Sequence, residues 1–300
     1  MISGLGFLGI FTSVTMQMKR IHSGLLTVDA WPVQNLHEQL SSLLAGAPNY
    51  DYIVGWLDGI AGGKSIGRGQ IHAARYLHEG EDQNPQETMK VENQVLPPRI
   101  FGVLPKSMLH YFMSPFMNNF GTWGINTAKY IASLRKHTFR QPHAAFHFLL
   151  DYVPNWEFSY GHSGLIQYQS FIPKEIAEAA WTEILKLSHK NRLPSYLGVT
   201  KRHRPDKFLL THAVDGFSLA MDFKVTNGNR IRLNNMLQEF DKIVLQAGGR
   251  FYFAKNSETS AETALDFYGK ETMEKFKKLK KRCDPNGLLE SDLYRRVFGD

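Results

Sequence analysis

Three hundred residues, 43% of them hydrophobic, supply one large or two smaller cored domains, and a charged fraction of 21% excludes a disordered chain. The net charge of +7 favours anionic partners and leaves the fold open. A single cysteine, Cys283, excludes an internal disulfide and points to a reducing, cytoplasmic compartment.

The chain starts MISGLGFLGIFTSV, in which Gly4, Gly6 and Gly9 match G-x-G-x-x-G. A dinucleotide-binding turn needs a strand before the first glycine and a helix after the last. Only three residues precede Gly4, and the β-branched, partly alternating Ile10–Met18 predicts a strand after Gly9. Glycine turn then strand is the reverse of the fingerprint. Lys19 and Arg20 follow the apolar start where a secretory signal has its cations in front, and no clean apolar run reaches about 18 residues, so neither a leader nor a membrane-spanning helix is expected.

Leu25–Trp31 reads as a strand, followed by Pro32 and a helix over Val33–Leu44 with Leu36, Leu40 and Leu43 on one face. Tyr50–Leu57 predicts a strand, Gly59–Gly69 a glycine-rich turn, Ile71–Leu77 an extended segment, and His78–Pro98 a loop. Ser107–Ala128 contains no Asp, Glu, Lys or Arg and is dense in Met and Phe. Pro115 and Gly121 interrupt it, which leaves buried core, a lid, or an apolar surface for a greasy substrate or a bilayer.

Leu165–Phe171 reads as a strand, and Pro173 is placed at the start of a helix carrying Ile176, Ala180, Ile184 and Leu187 on its buried stripe. Ser195–Lys201 is extended. Strict alternation of Phe217, Leu219, Met221 and Phe223 predicts a half-buried strand, and Leu233, Leu237, Phe240 and Val244 make a helix stripe closed by Gly248-Gly249. Arg250–Ala254 is the next strand. Two strand–helix–strand units in succession predict an α+β fold: an antiparallel sheet covered by helices.

No metal site is expected: His143 and His147 have helical spacing, but Ala144 stands where a zinc protease has Glu. No G-x-S-x-G elbow supports serine hydrolysis. The run Lys275–Arg282 reads as a solvated helix face or an anion-facing surface, with Met273, Phe276 and Leu279 turned inward. No nucleic-acid-binding motif surrounds it, so no nucleic-acid partner is expected.

GGRFYFAKNSETSAET at 248–263, RCDPNGLLESDLYRR at 282–296, IQYQSFIP at 166–173 and SYLGVTK at 195–201 together resemble FAD-linked oxidases of the vanillyl-alcohol oxidase superfamily. The likeness is strongest to the flavin subunits of decaprenylphosphoryl-ribose epimerases, and the delta-24 sterol reductases are more distant. The resemblance implies an oxidoreductase that uses FAD, with remnants of the FAD-binding domain at both termini (1–21 and 249–300) around a substrate domain (22–248). The family's first FAD-binding segment is absent from this sequence, so a C-terminal portion of a flavoenzyme is expected; a binding module without the flavin half is the alternative.

By the same resemblance Lys255 and Tyr252 face the flavin as catalytic groups, and Gly4, Gly6, Gly9 and Ile10, with Lys255, contact the cofactor. Gln167, Gln169, Lys201, Trp56 and Asp151 line the substrate cleft, with His147 near its gate. Gly198 departs from the small polar residue of the resembled subunits. The expected substrate is a small molecule with an apolar tail, lipid-linked or sugar-like, and peripheral membrane contact is expected. The electron acceptor is not specified.

Overall fold

Phe217, Leu219, Met221 and Phe223 alternate along a strand that lies inside a sheet-and-helix fold, and its other side chains are buried as well. The computed structural model describes residues 1–96, 98–100, 104–148 and 153–299. The first half contains β1 (Leu25–Val33), α1 (Leu36–Gly46), β2 (Tyr52–Leu57), β3 (Gly69–Tyr76), α2 (Pro85–Thr88), β4 (Arg99–Ile100), β5 (Leu104–Pro105), α3 (Leu109–Met113), α4 (Asn119–Ala132), β6 (His137–Pro142) and α5 (His143–His147). The second contains β7 (Leu165–Pro173), α6 (Ala177–Lys190), β8 (Leu197–His203), β9 (Gly216–Lys224), α7 (Arg230–Gln246), β10 (Arg250–Phe251), α8 (Ala261–Tyr268), α9 (Lys270–Cys283) and α10 (Asp292–Val297).

Eight strands form one antiparallel sheet in the order β10-β7-β9-β8-β2-β3-β1-β6, as the α+β expectation requires. Helices α1, α6 and α7 cover one face. Their apolar stripes meet Leu57, Ile71, Tyr168, Leu219, Met221 and Phe223 in the main core. Two polar pairs cross this layer: Trp181 donates to Ser170 Oγ at 3.1 Å, and Tyr168 donates to Asp241 Oδ1 at 2.9 Å. Helix α1 is started by Asn35, whose side chain accepts from the Glu38 amide at 3.0 Å, while Glu38 accepts from the Gln34 amide. Gly248, with φ of 64°, ends α7 in the left-handed conformation that glycine adopts without strain.

A second core joins the two chain ends. Phe7, in the N-terminal glycine turn, meets the rings of Tyr294, Phe298 and Phe276 at 5.2, 5.7 and 6.3 Å, and Phe253 belongs to the same cluster. Gly6 (φ 80°) and Gly9 (φ 152°) supply backbone angles that fold this turn. The run Lys275–Arg282 is helical, but Lys280 points inward: it is buried, pairs with Asp284, and donates to the Leu289 carbonyl at 2.8 Å. Asp284 in turn accepts from the Leu288 and Leu289 amides, so the Cys283-Asp284-Pro285-Asn286-Gly287 turn is a folded staple between α9 and α10.

Several sequence expectations are corrected. Ile10–Met18 forms no strand: no sheet edge reaches it among the described residues, and its side chains are exposed, Ile10 to 76%. Pro173 ends β7, and α6 starts later, at Ala177. The uncharged stretch 107–128 is not core. It forms α3 and much of α4, and leaves Tyr111, Phe112, Phe116, Phe120 and Trp123 exposed, which is the surface alternative. Strand β6 and the short helices within 78–98 were not anticipated.

Because Phe7 is buried in the core that joins the chain's two ends, Phe7→Ala should cost about 3 kcal/mol and release the C-terminal helices first. Urea unfolding, with amide exchange in α9 and α10 as the local probe, measures this.

Candidate functional site

The ladder pairs Gln167 with Asp222 and Leu197, Gln169 with Ala220 and Val199, and Phe171 with Ser218 and Lys201. Register partners project to the same side, so these side chains share the sheet face opposite α1, α6 and α7. The glutamines therefore lie with a carboxylate, a serine and a lysine on a face that the large helices leave open.

A short turn brings Lys255 to that face. Tyr252 donates its amide to the Gln169 carbonyl at 3.3 Å, and Lys255 and Asn256 both donate to the Tyr252 carbonyl at 2.9 Å. The buried Asn256 side chain accepts from the Gln169 amide at 2.7 Å, and Asn256 bridges to Gln167. The ammonium of Lys255 acts on two groups of the face: its charge opposes protonation of Lys201 and favours ionisation of Asp222.

Asp222 is the chemically distinctive member. It is 3% exposed, accepts from Gln167 Nε2 at 2.9 Å through Oδ1, and has no partner on Oδ2 among the described residues. Burial pushes its carboxyl up to about 6, against the opposing pull of the Gln167 hydrogen bond and Lys255. Burial likewise lowers Lys201. Beside them His203 holds Ser218 Oγ at 2.8 Å and is lowered to about 4, chiefly by burial. Phe171 touches the rings of His203 and His212 at 4.8 and 4.6 Å, and Tyr252 meets His212 at 4.9 Å. These rings form an apolar wall next to the charged groups.

The structure thus gathers Lys255, Tyr252, Gln167, Gln169 and Lys201. It does not bring Trp56 among them. Trp56 lies on the same face but on β2, three strands from β7, roughly 14 Å away, under the Lys129 ammonium at 4.1 Å. Burial lowers that ammonium to about 8. His147 stacks edge-on to Tyr52 at 4.4 Å, farther along the sheet. Asp151 lies outside the described residues. Gly4, Gly6 and Gly9 reach the site's neighbourhood indirectly, through the core that Phe7 shares with Phe253, while Ile10 projects into solvent. Gly198 is opposite Leu57 and Met221 on the helix-covered face, so its missing side chain has no bearing on the open face.

Sequence reading missed Asp222, Asn256, His203 and His212. Asp222 was visible as the polar phase of the Phe217–Phe223 alternation, and its burial was not, because burial is set by what packs over the strand. His203 was hidden in Lys201-Arg202-His203-Arg204, whose run of cations gives no strand period, although His203 is the last residue of β8.

Known proteins agree with the likeness drawn from the four segments. A D-arabinono-1,4-lactone oxidase family model matches residues 171–297, a span that includes Lys201, Asp222, Tyr252 and Lys255. The chain is 28% identical over 301 residues to a decaprenylphosphoryl-beta-D-ribose oxidase of Mycolicibacterium smegmatis. That alignment covers 99% of this chain and 62% of the relative, so the chain spans about 62% of the length of the curated protein it matches.

Folding raises the Asp222 carboxyl, so ionisation opposes the fold. The cost is absent below about pH 4, grows up to pH 6 and stays at about 3 kcal/mol above it. Asp222→Asn should therefore stabilise the protein at pH 8 and change little at pH 4, as read by thermal unfolding at the two pH values.

Proposed function

We propose that this chain is the substrate-facing portion of an FAD-dependent oxidoreductase that moves hydride between flavin and an alcohol carbon, or a C=C bond, of an apolar-tailed substrate. The observation that carries the reading is the gathering of Gln167, Asp222, Lys201 and Lys255 on the sheet face opposite α1, α6 and α7. The family match and the oxidase relative support it.

The residues present fit a flavin. Asp222 Oδ2 is buried with no donor, which suits a ligand edge that offers hydrogen bonds. Lys255 offers fixed positive charge beside it. Bound flavin would supply the hydride acceptor or donor. Lys255 would stabilise negative charge gathering at the cofactor's N1–C2=O edge. Gln167 fixes one oxygen of Asp222 and leaves the other free to accept from, or exchange a proton with, a hydroxyl of the substrate. Gln169 would present its amide from the same face, and Lys201 would meet a phosphate. Phe171, His212 and Tyr252 exclude water from one side, strengthening each of these interactions.

The relative's name specifies a decaprenylphosphoryl ribose, which suggests a lipid-linked sugar class for this chain. The exposed rings of Tyr111, Phe112, Phe116, Phe120 and Trp123 would suit the apolar part of such a substrate, with the protein at a membrane surface on the cytoplasmic side.

In enzyme loaded with FAD, Lys255→Met should slow flavin reduction by roughly a hundredfold while visible absorbance shows flavin still bound. Reduction at the parent rate removes Lys255 from the chemistry. Purified protein that takes up no FAD, alone or with a chain supplying the pyrophosphate-binding half, removes the flavin reading.

A further inference from the structure

The geometry points to a second site: a phosphate-binding groove between the starts of α4 and α7, built on Arg192, Arg232 and Lys224. The groove encloses about 510 Å³, and Asn119, Tyr196 and Phe120 also line it. No carboxylate is among its lining residues, and neither arginine forms an ion pair among the described residues. Three cations around a concavity with no counter-charge leave a positive potential that a dianion relieves. The inference goes beyond the flavin reading and requires no cofactor.

The surroundings reinforce that sign. Helices α4 and α7 run 14 and 17 residues, begin at the groove, and carry no acidic residue in their first turns. Their N-terminal dipole ends add to the same potential. Lys224 is held in place by donating to the Met117 carbonyl at 2.7 Å. Tyr196 donates to Asn119 Oδ1 at 2.9 Å, and the Asn119 amide donates to the Arg192 carbonyl at 3.2 Å, which closes the wall between α4 and the end of α6.

Arg192 occupies a position that favours glycine. It follows α6 with φ of 55°, and Leu193 donates to the Ser188 carbonyl across it, the usual glycine geometry of a helix end. A left-handed arginine is strained, and strain of this kind gathers at ligand sites. The groove is also distinct from the Asp222 face: Asp222, Gln167, Lys201 and Lys255 are not among its lining residues, and its Tyr196 stacks on Tyr160 at 6.1 Å.

The ligand chemistry is a phosphate group, either free or in a lipid headgroup; Phe120, 80% exposed and stacked on Trp123 at 5.9 Å, gives the groove an apolar lip suited to the second source. Calorimetry with inorganic phosphate and pyrophosphate, and sedimentation with phosphatidylcholine vesicles with and without phosphatidic acid, test it on the intact chain. Binding of either probe should weaken at least tenfold in Arg192→Gln/Arg232→Gln. It should be unchanged in Lys275→Gln/Lys278→Gln on α9. Arg192→Gly should also weaken binding while raising the unfolding temperature, since it relieves the left-handed strain, so lost binding is not lost folding. Phosphate binding identifies a soluble ligand, and vesicle binding alone identifies a headgroup. No binding of any probe, or equal weakening by the α9 pair, overturns the assignment.

Discussion

The Asn256 side chain accepts the Gln169 amide across 87 positions of sequence, and the placement of the candidate site depends on that contact. Strand β10 is only two residues long, too short on its own to fix the turn after it. The Asn256 contact clamps the Tyr252–Asn256 turn along β7, and Lys255 is delivered to the face that carries Gln167 and Asp222. The same clamp ties the C-terminal helices to the sheet, because Phe253 within the turn is part of the aromatic core formed with Phe7, Phe276 and Phe298. One side-chain acceptor therefore couples the joining of the chain's ends to the composition of the site.

Electrostatics on this face work by opposition. Two ammonium groups, Lys201 and Lys255, share it with one carboxylate, and both Lys201 and Asp222 are pushed toward their neutral forms, principally by burial. A surface of exposed charges would show no such tension. Its cost is physical: an ionised Asp222 opposes folding, and its second oxygen has no partner. Asp241, on α7, offers the contrast across the sheet's helix-covered face. It is also raised to about 6 by burial, but it accepts from Tyr168 between the sheet and α7, beside a small cavity of about 50 Å³ that Asn234 and Asn256 also line. Two buried carboxyls with the same displacement differ in their surroundings: Asp241 meets a tyrosine hydroxyl in the helix–sheet layer, whereas Asp222 meets a glutamine amide and the charge of Lys255.

The core was legible in the sequence wherever one face is apolar and the other is not. The stripe Leu233–Val244, the Ala180 and Ile184 positions of the Ile176–Leu187 stripe, and the alternation Phe217–Phe223 come directly from period, whereas Ile176 precedes α6 and is exposed. The α+β layout came from their order. Features that period does not encode were misread. Ile10–Met18 alternates like a strand, but a strand is a relation between two backbones, and no partner reaches it. The stretch 107–128 lacks charge like a core, but α4 turns its aromatic rings outward. Lys280 looked like its lysine neighbours, and only the Asp284 turn explains its burial. The site itself was half legible: Lys255, Gln167 and Gln169 were found through likeness to a family, whereas Asp222 required knowing which turn would cover β9.

The two faces of the Tyr160–Tyr196 stack give the molecule a division of labour that neither site shows alone. On one side, charges are buried, unequal in sign and adjacent to apolar rings, conditions under which small changes in protonation carry large energies. On the other, Arg192, Arg232 and Lys224 are of one sign and both arginines are exposed, conditions that favour capture of an anion over chemistry on it. A ligand long enough to touch both would be gripped where the dielectric is high and acted on where it is low. Because Tyr196 also donates to Asn119, the residue that fixes the Arg192 carbonyl, the stack is mechanically continuous with the groove wall. Displacement of that wall by a bound anion would therefore be felt first at Tyr160, a buried ring that senses the charge of Asp222.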